Sequence, residues 1–320
     1  MTILSQTLLF NPNSPRKIFR SGASEVPYLR RSMLPGVGCN NVEFNEYPPQ
    51  VEAPPIDPGR QVVRIGGPVV LLTQTWAYGY FHWLIETLPR LMLVYGHLMA
   101  DHRMVLVAGS GLTSFMSEYL DLLGLSRQTR TYPIYEQGRH PVIIAPRMLV
   151  PAPIPCGCSV PRLLIELRDT LFARLASRGQ LDEPRPPDTI VVIRRTDTRS
   201  VTNHDEVMQT LRKELGHRLR VTEFCGDSLP RTINLFRAAR LVVGPHGAGL
   251  SNMIYSARGT PIVEFQMEVP NGCYLALAST LGMPYWGFRV PGATQTGPMQ
   301  VNVTTLMERV RGALGPGEPL

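Results

Sequence analysis

Lysine is nearly missing from this chain. Of its 32 basic residues only Lys17 and Lys213 are lysines, so almost all the positive charge is guanidinium. Codon bias alone yields such a composition; the functional alternative is that arginines grip phosphates with two parallel hydrogen bonds. A net charge of +7 and a pI near 9.4 favour anionic partners in either case. There is no recognition-helix pattern, RNA-binding aromatic motif or basic run, which argues against nucleic acid. No apolar run approaches the roughly 18–20 residues of a spanning helix. Residues 1–15 lack the basic start and apolar core of a secretion signal, so a cytoplasmic protein is expected. The five cysteines (Cys39, Cys156, Cys158, Cys225, Cys273) are scattered and odd in number. Cys156-Gly157-Cys158 has no second pair at zinc spacing, which disfavours a metal knuckle and leaves reduced thiols as the expectation. Solenoid repeats and low-complexity tracts are absent as well.

What is present is a 320-residue chain, 43% hydrophobic, long enough for about two domains. Residues 1–60 are punctuated by proline and glycine and read as an irregular arm. From residue 61 a βα pattern sets in, with strands at Val69–Leu72, Met104–Val107 and Val142–Ile144 and helices from Tyr80 and over Ser114–Leu123. Residues 146–161 read as a turn-laden bridge, closing a first lobe at 61–160. An amphipathic helix at Arg162–Arg178, with Leu163, Leu164, Leu167, Leu171 and Leu175 on one face, and a proline break at Asp182–Asp188 make a linker of 161–188. The βα pattern restarts at Ile190–Ile193 and fills a second lobe, 189–300. Residues 301–320 supply a last helix, Val303–Leu314, able to fold back to the first lobe, and a tail. The fold class is α/β: two Rossmann-like lobes with a cleft between them.

The most informative stretch is Pro245-His246-Gly247-Ala248-Gly249-Leu250-Ser251-Asn252. The apolar strand Arg240–Gly244 precedes it and a helical pattern follows. Small residues at such a turn admit a ligand to the backbone, and the free N–H groups of a helix start attract an anion. The next strand, Pro261–Phe265, brings Glu264. Strand, glycine turn, helix, strand and acid suggest a nucleotide, its phosphate at the turn and its ribose hydroxyls on Glu264. His246 has three readings: a phosphate contact, stabilisation of a departing nucleotide, or plain backbone satisfaction.

A second constellation is Phe81-His82-Trp83-Leu84-Ile85-Glu86, continuing to Pro89, Arg90 and Leu91. His82 and Glu86, four apart, share a helical face. Trp83 and Arg90 also point off the apolar stripe, as if this face lined a cleft. Glu86 is a candidate general base, or orients His82 to be one; the plain alternative is a surface ion pair. A metal reading lacks a third ligand. Pro89 should kink or restart the helix. In the third block, Arg194, Arg195 and Arg199 follow a strand; Arg194 and Arg199 could clamp a diphosphate, and Asn203 or His204 could cap the next helix.

In this order and spacing the three blocks resemble glycosyltransferase family 61, which includes bacterial capsular polysaccharide enzymes. The resemblance rests on Phe81–Leu84 with Glu86 and Pro89, on Arg194, Arg195, Arg199 and Asn203, and on Pro245–Leu250 with Asn252 and Glu264. It implies a GT-B fold and an inverting, metal-independent transfer from a nucleotide sugar, with no cofactor and, by family habit, a uridine nucleotide. Residues 61–160 then form the acceptor lobe and 189–300 the nucleotide-sugar lobe. His82 and Glu86 become catalytic; Arg194, Arg199, His246, Gly247, Ala248, Gly249, Asn252 and Glu264 bind the donor. The acceptor is a glycan or a lipid-linked saccharide, the latter bringing peripheral contact with the inner membrane.

Two rivals stand beside this reading. One is a non-catalytic nucleotide- or glycan-binding module. The other is a serine esterase built on Gly226-Asp227-Ser228-Leu229, weakened because Pro230 makes Ser228 a natural helix cap and no Asp-x-x-His follows.

Overall fold

The computed structural model describes residues 2–8, 62–72, 76–109, 111–132, 142–151, 154 and 156–315. The expected irregular arm therefore lies outside the described residues, except that Thr2–Leu8 forms a strand, β1. The chain divides into two compact units, Met1–Arg174 and Leu175–Leu320.

In the first unit β2 (Val62–Arg64), β3 (Val69–Leu71), β4 (Val105–Val107), β5 (Thr129–Arg130) and β6 (Val142–Val150) join β1 in one sheet. Its order is β1-β6-β3-β4-β5 with β2 also on β6, and every pairing is parallel except β1 with β6. Helices α1 (Tyr95–Ala100), α2 (Ser114–Leu122) and α3 (Pro161–Ser177) follow in the chain. The bridge expected from residue 146 begins later, because β6 runs on to Val150. Pro146 is tolerated there: it falls between the stretch paired with β2, Val142–Ile144, and that paired with β3, Met148–Leu149. All five leucines of the α3 stripe are buried, as amphipathic spacing requires.

The second unit is a five-stranded parallel sheet of β7 (Thr189–Ile193), β8 (Arg220–Phe224), β9 (Ala239–Pro245), β10 (Ile262–Gln266) and β11 (Tyr285–Arg289), in the order β11-β10-β9-β7-β8. Its helices are α4 (His204–Leu215), α5 (Leu229–Arg237), α6 (Cys273–Leu281) and α7 (Val303–Leu314). α6 and β11 were missed in the sequence. α7 keeps its expected bounds. It packs on α4, β10 and β11 of its own unit, burying Leu306, Met307 and Val310. Ser228 occupies the N-cap position of α5 with Pro230 just inside, as expected of a cap residue, though its side chain makes no capping bond.

Close packing explains two of the glycines around the β9 turn. A Cβ on Gly244 would lie 2.7 Å from Ile193 Cβ, and one on Gly249 would lie 2.9 Å from Ile193 Cγ2. Ile193, the last residue of β7, fills the space those glycines leave. Gly249→Ala is therefore expected to destabilise the second unit by about 1–3 kcal/mol through overpacking. Added to Ile193→Ala, the same change should cost markedly less, a coupling that denaturant melts of the two single variants and the double variant would measure.

Candidate functional site

Pro89 sets the geometry of the first block. It has no N–H, and its ring crowds the carbonyl one turn back, so an α-helix cannot run through it. The chain opens into a π turn over His82–Thr87, which Leu88 closes by donating its N–H to the Trp83 carbonyl. It then tightens into a 3-10 helix over Leu88–Leu93. Such widened turns recur at functional sites. The wide turn also rotates the residues after it, so the faces differ from those of a regular helix. Trp83 and Arg90, expected to line a cleft, are buried at 0% and 1% exposure. Arg90 Nη2 donates to the Pro151 carbonyl at 2.5 Å, and burial pulls its pKa down to about 9.

His82 and Glu86 do meet. His82 Nδ1–H donates to Glu86 Oε2 at 2.8 Å, and the Gly157 N–H donates to Glu86 Oε1 at 2.6 Å. Glu86 is fully buried, whereas the His82 side chain keeps 22% of its surface exposed. The plain alternative of a surface ion pair is thereby excluded. With Nδ1 turned to the carboxylate, Nε2 is the ring nitrogen left for other chemistry.

A third ligand type, which the sequence reading lacked, comes from Cys156: its sulfur and the donor atoms of His82 and Glu86 lie within 4.8 Å of one another. Metal coordination requires a thiolate, whereas Cys156 is in a disulfide, which corrects the expectation of reduced thiols throughout. Cys158, Cys225 and Cys273 are not in a disulfide.

The second unit forms its candidate site where strand order reverses, between β7 and β9. In open parallel sheets ligands bind beyond the carboxyl ends of the strands at this switch point. The loop after β7 contains Arg194–Arg199, and the turn after β9 contains His246–Gly249, so the topology brings the two blocks together. Ala248 to Tyr255 wind as a 3-10 helix rather than the α-helix expected. At Gly247 the space left by the missing side chain is filled by protein, because a Cβ there would lie 2.1 Å from Arg195 Nη1. The half-buried Ala248 and Gly249 are the open part of the turn.

The three arginines have separate fates. Arg194 is exposed and donates to Glu223 at 3.3 Å, a carboxylate that His204 Nε2 also reaches at 2.8 Å. Arg195, not singled out as a donor ligand from sequence, is the one against the glycine turn. Its Nε donates to the Thr198 carbonyl at 2.6 Å, and its Nη2 to Asp197 at 2.9 Å. Arg199 takes a left-handed backbone, φ 60°, and its N–H donates to the Gly297 carbonyl at 3.1 Å. Burial, and then the neighbouring charge of Arg195, lower its pKa. Its Nε is buried without a partner among the described residues. Two adjacent, half-buried cations with an unsatisfied donor favour an anion beside them.

His246 Nδ1–H donates to Glu264 Oε1 at 2.6 Å, and the Tyr285 hydroxyl donates to Glu264 Oε2 at 2.5 Å. Glu264 was expected at an open strand end, holding a ribose. It is fully buried in the middle of β10 with each oxygen engaged, one of them by His246. The His246 ring also lies edge-on to Tyr274, with centroids 5.0 Å apart. Burial, aided by the nearby Glu264 and Cys273, raises the pKa of both Tyr274 and Tyr285 well above the usual phenol range, so both are neutral. Asn252 is buried and donates to the Gly249 carbonyl at 3.0 Å, bracing the turn. Asn203 sits at the N-cap of α4 but makes no capping bond; it exchanges hydrogen bonds with the Val301 backbone. No sequence signal distinguished Arg195 from its neighbours, and Tyr285 lies on a strand the pattern did not reveal.

Glu264→Ala would leave buried donors on His246 and Tyr285 without an acceptor, and should cost about 3–5 kcal/mol of unfolding free energy. Glu264→Gln, which keeps an acceptor oxygen, should cost clearly less in the same urea melts.

The Glycosyltransferase 61 family model matches residues 80–263, more than half of the chain. No curated protein matches it. Among solved structures it is similar to the dodecameric iron-containing heptosyltransferase TibC in complex with ADP-D-beta-D-heptose, at 12% identity and a TM-score of 0.34. That comparison covers 72% of this chain and 63% of the TibC chain, so this chain spans less than two thirds of it. It is also similar to the E. coli heptosyltransferase WaaC with ADP, at 9% identity and a TM-score of 0.32, over 79% of this chain and 99% of that one. Through the match over its three motif blocks, the chain belongs to the Glycosyltransferase 61 family.

Proposed function

We propose that this glycosyltransferase moves a hexosyl or pentosyl group from a nucleotide sugar, UDP-linked, to a glycan or lipid-linked saccharide in capsular or related polysaccharide biosynthesis, with inversion and without a metal or cofactor. A GT-B layout belongs to this reading, with the second unit as the donor half and the first as the acceptor half. So does a cytoplasmic location at the periphery of the inner membrane. No described helix is long and apolar enough to cross a membrane.

The observation behind the proposal is the cationic cluster at the switch point. There Arg195, with the charge of Arg199 close to its own, lies against a turn whose His246 is oriented by a buried carboxylate. In the proposed mechanism Arg199, the turn amides of Ala248 and Gly249 and His246 Nε2 receive the donor diphosphate. They then stabilise the charge that grows on it as the bond to the sugar breaks. Arg195 holds the turn in place. In the first unit His82 Nε2 takes the proton of the acceptor hydroxyl while that oxygen attacks the anomeric carbon from the opposite side. One displacement forms the new glycosidic bond and expels the nucleotide diphosphate with inversion. Glu86 acts through His82, holding the ring in the tautomer that leaves Nε2 free to accept.

A thermal-shift panel of nucleoside diphosphates tests the donor half, since a ligand that binds only the folded state raises the melting temperature. At least one diphosphate should stabilise the wild type, and Arg199→Ala and His246→Ala should remove most of that shift. Glu86→Gln should keep it and lose about 10²–10⁴-fold in kcat for transfer. No shift with any diphosphate would overturn the donor site. Binding without transfer or hydrolysis across many donors and acceptors would make the protein a binding module instead.

A further inference from the structure

The geometry points to Gly157 as a positioning residue for the His82–Glu86 pair: its backbone N–H holds Glu86 Oε1 and so keeps Oε2 on His82 Nδ1. The inference rests on the proposed reading of His82 as the base. It also gives a place to the Cys156-Gly157-Cys158 motif, which neither a zinc site nor the donor site absorbs.

Three observations support it. The bond from Gly157 to Glu86 is 2.6 Å long and joins residues 71 positions apart, so this is a tertiary contact and not a helical one. Gly157 has φ 77°, a left-handed backbone that suits glycine and that asparagine tolerates best among residues with a side chain. Its neighbour Cys156 is buried, held in a disulfide, and places its sulfur 3.8 Å from His82 Nδ1. The segment thus touches both members of the pair, through an amide on the carboxylate and a sulfur beside the imidazole. A carboxylate rotates freely about its last bond. With one oxygen pinned by a fixed amide, the other stays directed at the ring, and the ring keeps one tautomer. Loosening such a support costs activity without touching substrate.

Selective labelling tests the bond directly. Only Cys156–Gly157 and Cys225–Gly226 are Cys-Gly steps in the chain, so carbonyl-13C cysteine with 15N glycine isolates two amide signals. The Gly157 proton should lie downfield, as for an N–H on a charged acceptor, and move upfield in Glu86→Gln while Gly226 stays in place. In the transfer assay Gly157→Asn, which keeps both the N–H and access to the left-handed backbone, should remain within about threefold of wild-type kcat. Gly157→Pro, which has no N–H, should lose about tenfold or more in kcat with the donor KM unchanged and with a folded circular-dichroism spectrum. The inference is overturned if the Gly157 amide ignores Glu86→Gln, or if folded Gly157→Pro turns over like the wild type. Should the proline variant fail to fold, the labelled wild type and Glu86→Gln still decide whether the bond exists, and Gly157→Val against Gly157→Asn decides whether it matters. If the wild type transfers nothing while the amide responds, the bond stands and the proposed function fails.

Discussion

Each unit of this protein buries a glutamate completely, and each then has to satisfy it. An ionised carboxylate removed from water costs several kcal/mol unless donors replace its hydration. Glu86 and Glu264 meet this demand in parallel ways. One oxygen accepts from a histidine Nδ1–H, and the other accepts from a group brought by a distant stretch of chain. For Glu86 that group is the Gly157 amide; for Glu264 it is the Tyr285 hydroxyl. The consequence is the same in both units: an imidazole fixed in tautomer and direction, its Nε2 turned to the outside of the pair.

In the second unit the β7 strand end organises everything near the glycine turn. Ile193 fills the space beside Gly244 and Gly249, and Arg195 fills that beside Gly247. The glycines are small because one side chain of the neighbouring strand, Ile193, and one of the loop after it, Arg195, lie against them. This packing brings the arginine loop and the histidine turn to one switch point, where Arg199 adds a second guanidinium. Guanidinium groups that crowd one another in partial burial are most stable with an anion between them.

Much of this was legible in one dimension because it depends on local periodicity. The α3 stripe, the bounds of α7 and the β7 and β9 strands follow from apolar spacing alone, and the His82–Glu86 pairing follows from a four-residue step. Other features depend on groups far away in sequence. The outward face assigned to Trp83 and Arg90 is buried, and for Arg90 the reason is the π turn before Pro89, which rotates later residues inward. The open strand end expected for Glu264 is instead a buried position whose oxygens accept from His246 and Tyr285. α6 and β11 carry too little alternation to stand out from the loops beside them.

The sequence by itself determined the class of the protein, through the order of three motif blocks, each compact enough for its chemistry to be read locally. Only the tertiary structure decided which residue in each block is outward and which is a support. That choice turns on burial and on contacts such as Gly157 with Glu86 or Arg195 with Gly247. A hydrogen bond between residues 71 positions apart leaves no periodicity in the chain, because nothing local requires it; it exists only once the backbone has brought the two groups together.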